Sequence, residues 1–148
     1  MPLLCRYLLS APGQALLAGA PGGHVVELGA GLGVPGLLAA RHEAAARVTL
    51  TDNNPAVLRR LRRTAELQPG PAAVGVAGLE WGARHAPGEL VGAADLILAS
   101  DCVYSEGATR RLAGTLGALL RRGGAAALSY VSRWQQLDRQ LAGAFEEA

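Results

Sequence analysis

Lysine is absent from this sequence. All 14 basic residues of the 148-residue chain are arginine, and the net charge at pH 7 is only +2. Such a small net positive charge does not support a nucleic-acid-binding surface, which needs a clear excess of basic residues on one face. Since alanine and glycine are also abundant, we attribute the missing lysine to a coding bias rather than to a function.

Aromatic residues are also scarce, at 4% of the chain. Four arginines lie close together at positions 59, 60, 62 and 63. Few aromatic rings are available, however, to stack on nucleic-acid bases beside them. We therefore interpret the arginine cluster as the solvated face of a helix, and we expect no nucleic-acid partner.

Long apolar runs are missing too, although half of the residues are hydrophobic. No run approaches the roughly 20 residues that a membrane-spanning helix needs. Arg6 interrupts the apolar N-terminus and no convincing cleavage site follows, which argues against a signal peptide. We expect one domain, without membrane association, in the cytoplasm or the nucleus.

Cysteine occurs only twice, as Cys5 and Cys102. Neither is spaced like a metal ligand, and the three histidines form no pattern with them. Two distant cysteines are typical of a reduced, cytosolic protein. The sequence therefore predicts no bound metal.

Glycine, in contrast, is concentrated in the most informative stretch, which runs from His24 to Gly36 as HVVELGAGLGVPG. An apolar β-branched start, four glycines and an apolar continuation predict a strand, a tight turn and a helix. Glycine lets the backbone approach a ligand where a Cβ would collide with it. The stretch therefore predicts the ligand-binding βα unit of an α/β fold.

Two classes of ligand use such a turn. Gly31, Gly33 and Gly36 match the dinucleotide fingerprint, and Asp52 lies at the distance expected for a ribose-binding acid. Glu27 precedes the glycines, however, and its carboxylate would repel a pyrophosphate but attract the ammonium and sulfonium groups of S-adenosylmethionine. An NAD-linked enzyme also needs a catalytic histidine, lysine or tyrosine, and lysine is missing. We favour the methyl donor, with a dinucleotide or a turn that binds nothing as the alternatives.

Hydrophobic periodicity predicts five strands, at Val25 and its neighbours, 47–52, 73–77, 94–100 and 125–131. Helices are predicted within 1–23, from the glycine turn to about 46, and over 56–67, 107–121 and 135–147. We interpret the glycine pair at 123–124 as the stop of the fourth of these segments. The alternation predicts an α/β domain with a doubly wound, mostly parallel, Rossmann-like sheet, in which 1–23 form a helical segment and 24–148 the core.

Ligands of such sheets bind beyond the carboxyl ends of the strands. The candidate site residues at that edge are Glu27, Gly29, Gly31, Gly33, Asp52, Trp81, Ser100, Asp101 and Tyr104. Asp52 can accept hydrogen bonds from two ribose hydroxyls, and Trp81 can lie flat against adenine. Their alternative roles are a helix cap and a core side chain. Ser100 would flank the methionine end, while Asp101 and Tyr104 would face the departing methyl group unless they serve as a cap and a packed ring.

Five segments resemble a known family: ELGAGLG at 27–33, TLTDN at 49–53, LEWG at 79–82, DLILASD at 95–101 and DCVY at 101–104. Together they resemble the seven-β-strand protein methyltransferases of the lysine-modifying DxxY group, methyltransferase family 16. The resemblance implies that the cofactor is S-adenosyl-L-methionine and that the acceptor is a protein lysine. It implies a substrate-side role for Asp101 and Tyr104, and cofactor contacts at Glu27, Gly29, Gly31, Asp52, Trp81 and Ser100.

The chain departs from the pattern of that family at both ends. The tryptophan-containing segment before the first helix and the last two strands have no counterpart. We therefore expect a truncated version that binds its cofactor and exposes a sheet edge through which it associates. The residues leave open an arginine, a histidine or a small molecule as acceptor. From other classes, an NAD-linked oxidoreductase and a non-catalytic cofactor-binding fragment also stay open.

Overall fold

Five parallel strands form one sheet in the computed structural model, which describes residues 2–20, 22–68, 70–82 and 86–132, together with 138, 139, 141 and 143. The strands are β1 (His24–Leu28), β2 (Arg47–Asp52), β3 (Ala73–Gly78), β4 (Ala94–Ser100) and β5 (Leu120–Ser129). The helices are α1 (Pro2–Leu8), α2 (Ala11–Ala18), α3 (Val34–Ala39), α4 (Pro55–Glu66) and α5 (Glu106–Leu119), with a 3₁₀ helix at Gly88–Leu90.

The strand order across the sheet is β3-β2-β1-β4-β5. The chain thus moves outward in one direction from β1 to β3, then returns to the other side of β1 with β4 and β5. Ligands of open α/β sheets bind where the strand order reverses, which here is between β1 and β4. The predicted five-stranded, parallel α/β fold is confirmed, and its topology fixes where the site must lie.

Apolar side chains fill both faces of this sheet. Helices α1 to α4 cover one face, on which Leu8, Val48 and Leu61 are fully buried. Helix α5 covers the other face, on which Ile97 and Leu112 are fully buried. Since β4 lies between two strands and two helical layers, its sequence is almost continuously apolar, as central parallel strands require.

Short polar residues start three of the helices. Ser10, Asn54 and Ser105 each accept a hydrogen bond from a free backbone N–H in the first turn of α2, α4 and α5, respectively. Such caps satisfy donors that have no partner within the helix. In the described residues, no helix is long and apolar enough to cross a membrane.

Two predicted boundaries are wrong. The helix after the glycine turn ends at Ala39 rather than near residue 46, because the chain tightens to i−3 hydrogen bonds, such as that from the His42 N–H to the Ala39 carbonyl. The glycine pair at 123–124 lies inside β5, which begins at Leu120. The two glycines form an irregularity within the strand, where the pairing register with β4 shifts beside Ala94 and Gly123 has a positive φ of 77°. The helix predicted over 135–147 lies largely outside the described residues.

A buried polar group joins the strands at the opposite end of the sheet from the glycine turn. Asp95, 4% exposed, accepts a hydrogen bond from the His24 N–H at 3.0 Å and pairs with Arg121. Burial alone would raise the pKa of Asp95, but the hydrogen bonds from backbone N–H groups and from Arg121 lower it below its ordinary value. This carboxylate therefore holds β1, β4 and β5 together at the amino ends of the strands.

Candidate active site

A cleft of about 260 Å³ opens at the carboxyl ends of the strands, above the boundary between β1 and β4. Eleven residues line it: Gly29, Asp52, Asn53, Leu79, Glu80, Trp81, Ser100, Asp101, Cys102, Tyr104 and Arg111. They come from the ends of β1, β2, β3 and β4 and from α5. Segments far apart in sequence meet here because parallel strands end at the same edge of the sheet.

Six of the nine predicted site residues line this cleft, namely Gly29, Asp52, Trp81, Ser100, Asp101 and Tyr104. The other three, Glu27, Gly31 and Gly33, lie in or beneath the glycine turn and are not part of the lining. The predicted site residues thus fall into two groups. Six line the cleft, and three belong to the glycine turn or the strand beneath it.

Gly29 lies at the floor of the cleft with a positive φ of 58°. A Cβ at this position would come within 3.1 Å of both the Trp81 ring and the Cys102 sulfur. Only glycine therefore leaves this space open while adopting a left-handed backbone conformation. The opening is a cradle that a side chain would fill, which suits the close approach of a ligand.

Gly33 and Gly36 serve the packing of α3 rather than the cleft. A Cβ on Gly33 would come within 2.8 Å of the Leu61 side chain, and a Cβ on Gly36 would lie 2.6 Å from the Glu27 carboxylate. These two glycines let the helix approach the sheet closely. Their spacing, which matches a dinucleotide fingerprint, is thus explained by helix–sheet packing.

Glu27 is buried beneath the turn, with 2% of its surface exposed. Its Oε2 accepts a hydrogen bond from the Gly36 N–H at 2.8 Å. Burial raises the pKa of this carboxyl to about 8, although the Gly36 N–H opposes the change. The side chain is therefore protonated at neutral pH in the ligand-free protein, and a cation near the turn would favour its ionised form.

Asp52 connects the two loops that flank the cleft. Its Oδ2 accepts a hydrogen bond from the Gly31 N–H at 3.1 Å, and its Oδ1 accepts one from the Asn54 N–H at 2.9 Å. Asn54, not Asp52, caps α4 by accepting from the Ala56 N–H. Because an ionised carboxylate has about four acceptor positions, Asp52 retains capacity for the two hydroxyls of a ribose.

Trp81 and Tyr104 form an aromatic pair along the cleft. Their ring centroids are 6.1 Å apart and their planes are inclined by 37°. Trp81 is half-buried against the α5 side of the core, and the neighbouring Gly82 N–H donates a 2.8 Å hydrogen bond to the Thr115 hydroxyl. Tyr104 is 55% exposed. A planar ligand can stack on the anchored indole of Trp81, while the Tyr104 ring lies at the mouth of the cleft.

Asp101 adopts a backbone conformation that is uncommon for residues other than glycine. Its φ is +60°, and it is the one non-glycine residue with a positive φ in the described part of the chain. Its N–H donates to the Ser129 carbonyl at 2.8 Å, while the hydroxyls of Ser100 and Ser129 lie 3.1 Å apart. Such strain, which costs about 1–3 kcal/mol, concentrates at functional sites. Strand β5 thus fixes the placement of an exposed carboxylate.

Five residues of the lining were not predicted as site residues, namely Asn53, Leu79, Glu80, Cys102 and Arg111. Cys102 is buried, and its thiol donates to the Leu28 carbonyl at 3.4 Å. Burial, together with nearby carboxylates, raises its pKa to about 12, so it stays protonated and is a poor nucleophile. Arg111 reaches the cleft from α5. No motif in the sequence singles it out.

Comparison with known proteins agrees with this geometry. The sequence pattern of a lysine methyltransferase family matches residues 3–144. The chain belongs to this lysine methyltransferase family. A calmodulin-lysine N-methyltransferase from Arabidopsis thaliana is 35% identical over 103 residues, which cover 68% of this chain and 34% of that protein. The family member described here thus spans about a third of the length of this curated relative.

Solved structures of methyltransferases share the fold of this family member. A predicted O-methyltransferase from Agrobacterium tumefaciens superposes with a TM-score of 0.63 at 24% identity, over 88% of this chain and 65% of that one. A geranyl diphosphate methyltransferase in complex with S-adenosylmethionine gives a TM-score of 0.63 at 18% identity, over 90% and 62% of the chains. The Rossmann-like prediction is confirmed, and the family assigns S-adenosyl-L-methionine as cofactor.

Proposed function

We propose that this chain transfers a methyl group from S-adenosylmethionine to the side-chain amine of a protein lysine. The observation that carries the proposal is the placement of Asp101 beside Tyr104 at the cleft mouth, in a strained conformation held by β5. The family and the lysine acceptor of the Arabidopsis relative support the same acceptor class.

The donor side of the cleft fits the cofactor. The open floor at Gly29, the acceptor capacity of Asp52 and the anchored Trp81 ring match an amino-acid chain, a ribose and an adenine, respectively. The buried Glu27 beneath the turn suits a cationic ligand better than a pyrophosphate, since a nearby cation would favour its ionised form whereas a phosphate would not. These features favour the methyl donor over NAD.

Bound S-adenosylmethionine supplies a methyl group on a positively charged sulfur. Since that carbon is already activated, the chief task of the protein is to align the acceptor for in-line attack. The Asp101 carboxylate can hold an incoming amine, and the Tyr104 ring face or hydroxyl can limit its direction. Both residues lie on the segment that follows β4, so one short turn of chain positions the acceptor.

The acceptor amine must lose a proton before it can attack. A lysine has an unperturbed pKa of about 10.4, and Asp101 alone would raise it further. Asp101 therefore orients the amine rather than activating it. Exclusion of water beside the Trp81–Tyr104 pair, together with the cofactor's positive charge, would lower the lysine pKa. The proton then leaves to solvent through the exposed mouth at Tyr104.

A binding experiment and a transfer experiment test this proposal. Calorimetry with S-adenosylmethionine, its demethylated product and NAD should show binding of the two sulfur compounds and none of NAD. The chain should then transfer a labelled methyl group to lysine in a cell lysate. Because the chain itself contains no lysine, every methyl-lysine found by mass spectrometry comes from a substrate. Binding of NAD alone, or label confined to residues other than lysine, would contradict the proposal.

A further inference from the structure

Arg111 is the one basic residue among the eleven that line the cleft, and the lining also includes three acidic residues, Asp52, Glu80 and Asp101. Among the described residues it forms no ion pair. The neighbouring Arg110, in contrast, pairs with Glu106 at 3.5 Å. A cation in a ligand-binding cleft without a carboxylate partner is available to a ligand.

The side chain of Arg111 is folded back toward the cleft mouth. One of its terminal nitrogens lies 3.5 Å from the position that a Cβ would occupy on Gly107, one turn nearer the start of α5. The guanidinium therefore lies over the first turn of α5, at ordinary contact distance from it. Arg110, one position earlier on the helix, does not line the cleft.

The fold itself does not depend on this guanidinium. Arg111 interacts with Thr115 through its backbone, not its side chain. Its carbonyl accepts a hydrogen bond from the Thr115 hydroxyl at 2.9 Å. That hydroxyl in turn accepts from the Gly82 N–H, which anchors the loop carrying Trp81. Replacement of the Arg111 side chain leaves this chain of hydrogen bonds in place. The side chain is thus free for recognition.

We propose that Arg111 determines substrate specificity by binding a carboxylate of the acceptor protein, so that the methylated amine lies beside an aspartate or glutamate. This inference rests on the proposed function, because it assumes a protein acceptor. Asp101 and Arg111 then present opposite charges to the substrate at one mouth, which orients a segment that carries an amine and a carboxylate. A guanidinium binds a carboxylate through two parallel hydrogen bonds, which adds direction to the charge attraction.

The same chemistry could serve a second source, the carboxylate of the cofactor's methionine part. The location of Arg111 favours the acceptor. It belongs to α5, which follows Asp101 and Tyr104 in the chain, whereas the glycine turn that receives the donor belongs to β1 and α3. The two sources are separated by measuring cofactor affinity and peptide affinity on the same variants.

The test uses the whole chain saturated with S-adenosylhomocysteine. Three fluorescent peptides of equal length carry one central lysine, flanked by glutamate, glutamine or arginine, and their binding is followed by anisotropy. We expect the glutamate peptide to bind about 5-fold more tightly than the glutamine peptide, the scale of an exposed ion pair. Arg111→Ala should remove that preference, and Arg111→Glu should shift it toward an arginine-flanked peptide. The matched control, Arg110→Ala, should retain the preference.

Three results would overturn the inference. They are equal binding of the glutamate and glutamine peptides by the unaltered chain, an equal loss of preference in the Arg110→Ala control, and a fall in S-adenosylhomocysteine affinity in Arg111→Ala, which would assign the guanidinium to the donor. Failure of the proposed function is distinguishable from all of these. A chain that prefers the glutamate peptide through Arg111, yet labels no lysine, leaves the recognition role standing and refutes lysine transfer.

Discussion

The backbone of Asp101 shows how much of this site is decided by single residues. A positive φ is uncommon outside glycine, although asparagine and aspartate tolerate it better than other residues, and Asp101 adopts it beside the cleft. Its N–H is held by the Ser129 carbonyl. The conformational cost is explained if the carboxylate itself is needed at that place.

Substitutions of Asp101 should separate stability from chemistry. Asp101→Asn keeps the shape and the backbone conformation but loses the charge, so turnover should fall about 100-fold or more. Cofactor affinity should change by less than about 1 kcal/mol. Asp101→Gly should lose turnover equally, yet raise the free energy of unfolding by about 1 kcal/mol through relief of strain. Turnover, calorimetry and urea unfolding provide the three measurements. If Asp101→Asn stays folded but no longer binds cofactor, the residue belongs to the donor site.

Asp52 should contribute to cofactor affinity by way of its free acceptor positions. Asp52→Ala should weaken S-adenosylmethionine binding by about 1.5–3 kcal/mol, the usual contribution of hydrogen bonds to a charged group. Asn54→Ala is the control, because it removes the cap of α4 and should cost about 1 kcal/mol of stability with little effect on affinity. Calorimetry on both variants decides between the roles. An unchanged affinity in Asp52→Ala would limit Asp52 to joining the loops.

The buried Glu27 should make stability depend on pH. Its folded pKa of about 8 lies above the ordinary 4.5. Below pH 4.5 the carboxyl is protonated in both the folded and the unfolded chain, and its contribution is fully present. As pH rises to about 8, the unfolded chain releases the proton first, so stability falls by about 1.4 kcal/mol per unit, or roughly 5 kcal/mol in all.

Urea unfolding at pH 5 and at pH 8 tests this dependence. Glu27→Gln has no titrating group at that position, so its free energy of unfolding should change much less between the two pH values. The comparison is made without cofactor, since a bound cation would favour the ionised carboxylate. Equal pH dependence in both proteins would show that another group is responsible.

The sequence could predict the residues at strand ends but not every side chain that supports them. Asp52, Trp81 and Asp101 were predictable because parallel strands deliver their last residues to one edge of the sheet. The burial of Glu27 was not, since it depends on how closely α3 approaches the strand. Arg111 was also missed, because the reach of a long side chain depends on its rotamer.

At the scale of elements, the ends of the strands have different tasks. The carboxyl ends line the cleft, whereas the amino ends are joined by Asp95, which connects β1, β4 and β5. Periodicity predicted the central strands well, because their apolar runs are unambiguous. It failed at β5, where a glycine pair imitates a helix stop and only pairing with β4 shows that the strand continues.

Loss of Asp95 should therefore destabilise the sheet. Asp95→Ala leaves the His24 N–H and the partly buried Arg121 without their carboxylate partner, which should cost about 3 kcal/mol of unfolding free energy. Arg110→Ala breaks an exposed pair within one helix turn and should cost less than about 0.5 kcal/mol. Urea unfolding of the two variants gives the comparison. Similar small effects in both would mean that Asp95 is not needed to hold the strands.

At the scale of the whole molecule, the described sheet has outer edges at β3 and at β5, and the edge of β5 is the one beside an apolar groove. It lies at one end of the sheet order, and within the described residues no strand pairs with that edge. Small residues occupy 123–127, and an apolar groove between α1 and β5 lies beside them, lined by Leu3, Tyr7 and Leu128 among others. Unprotected edges of this kind template further strand pairing.

We expect the chain to self-associate through this edge as its concentration rises. Ala126→Lys places a charge on an exposed position of β5 and should reduce the association without unfolding the chain. Leu67→Lys removes an exposed apolar side chain elsewhere and should leave it unchanged. Sedimentation over a concentration series gives the result. A chain that stays monomeric throughout, or a control that acts like the edge variant, would contradict this assignment.

Because Asp101 is hydrogen-bonded to Ser129, the acceptor side of the cleft depends on a strand that is locally less stable than those behind the donor side. Gly29 and Asp52 on the donor side follow β1 and β2 in the middle of the sheet, while Asp101 is held by β5 at one edge. Edge strands open more readily than central ones, so amide protons of β5 should exchange with solvent before those of β1. After such an opening, the protein would still bind its cofactor, but Asp101 would no longer be positioned to orient the acceptor. Opening of β5 would thus impair the proposed methyl transfer without releasing the cofactor.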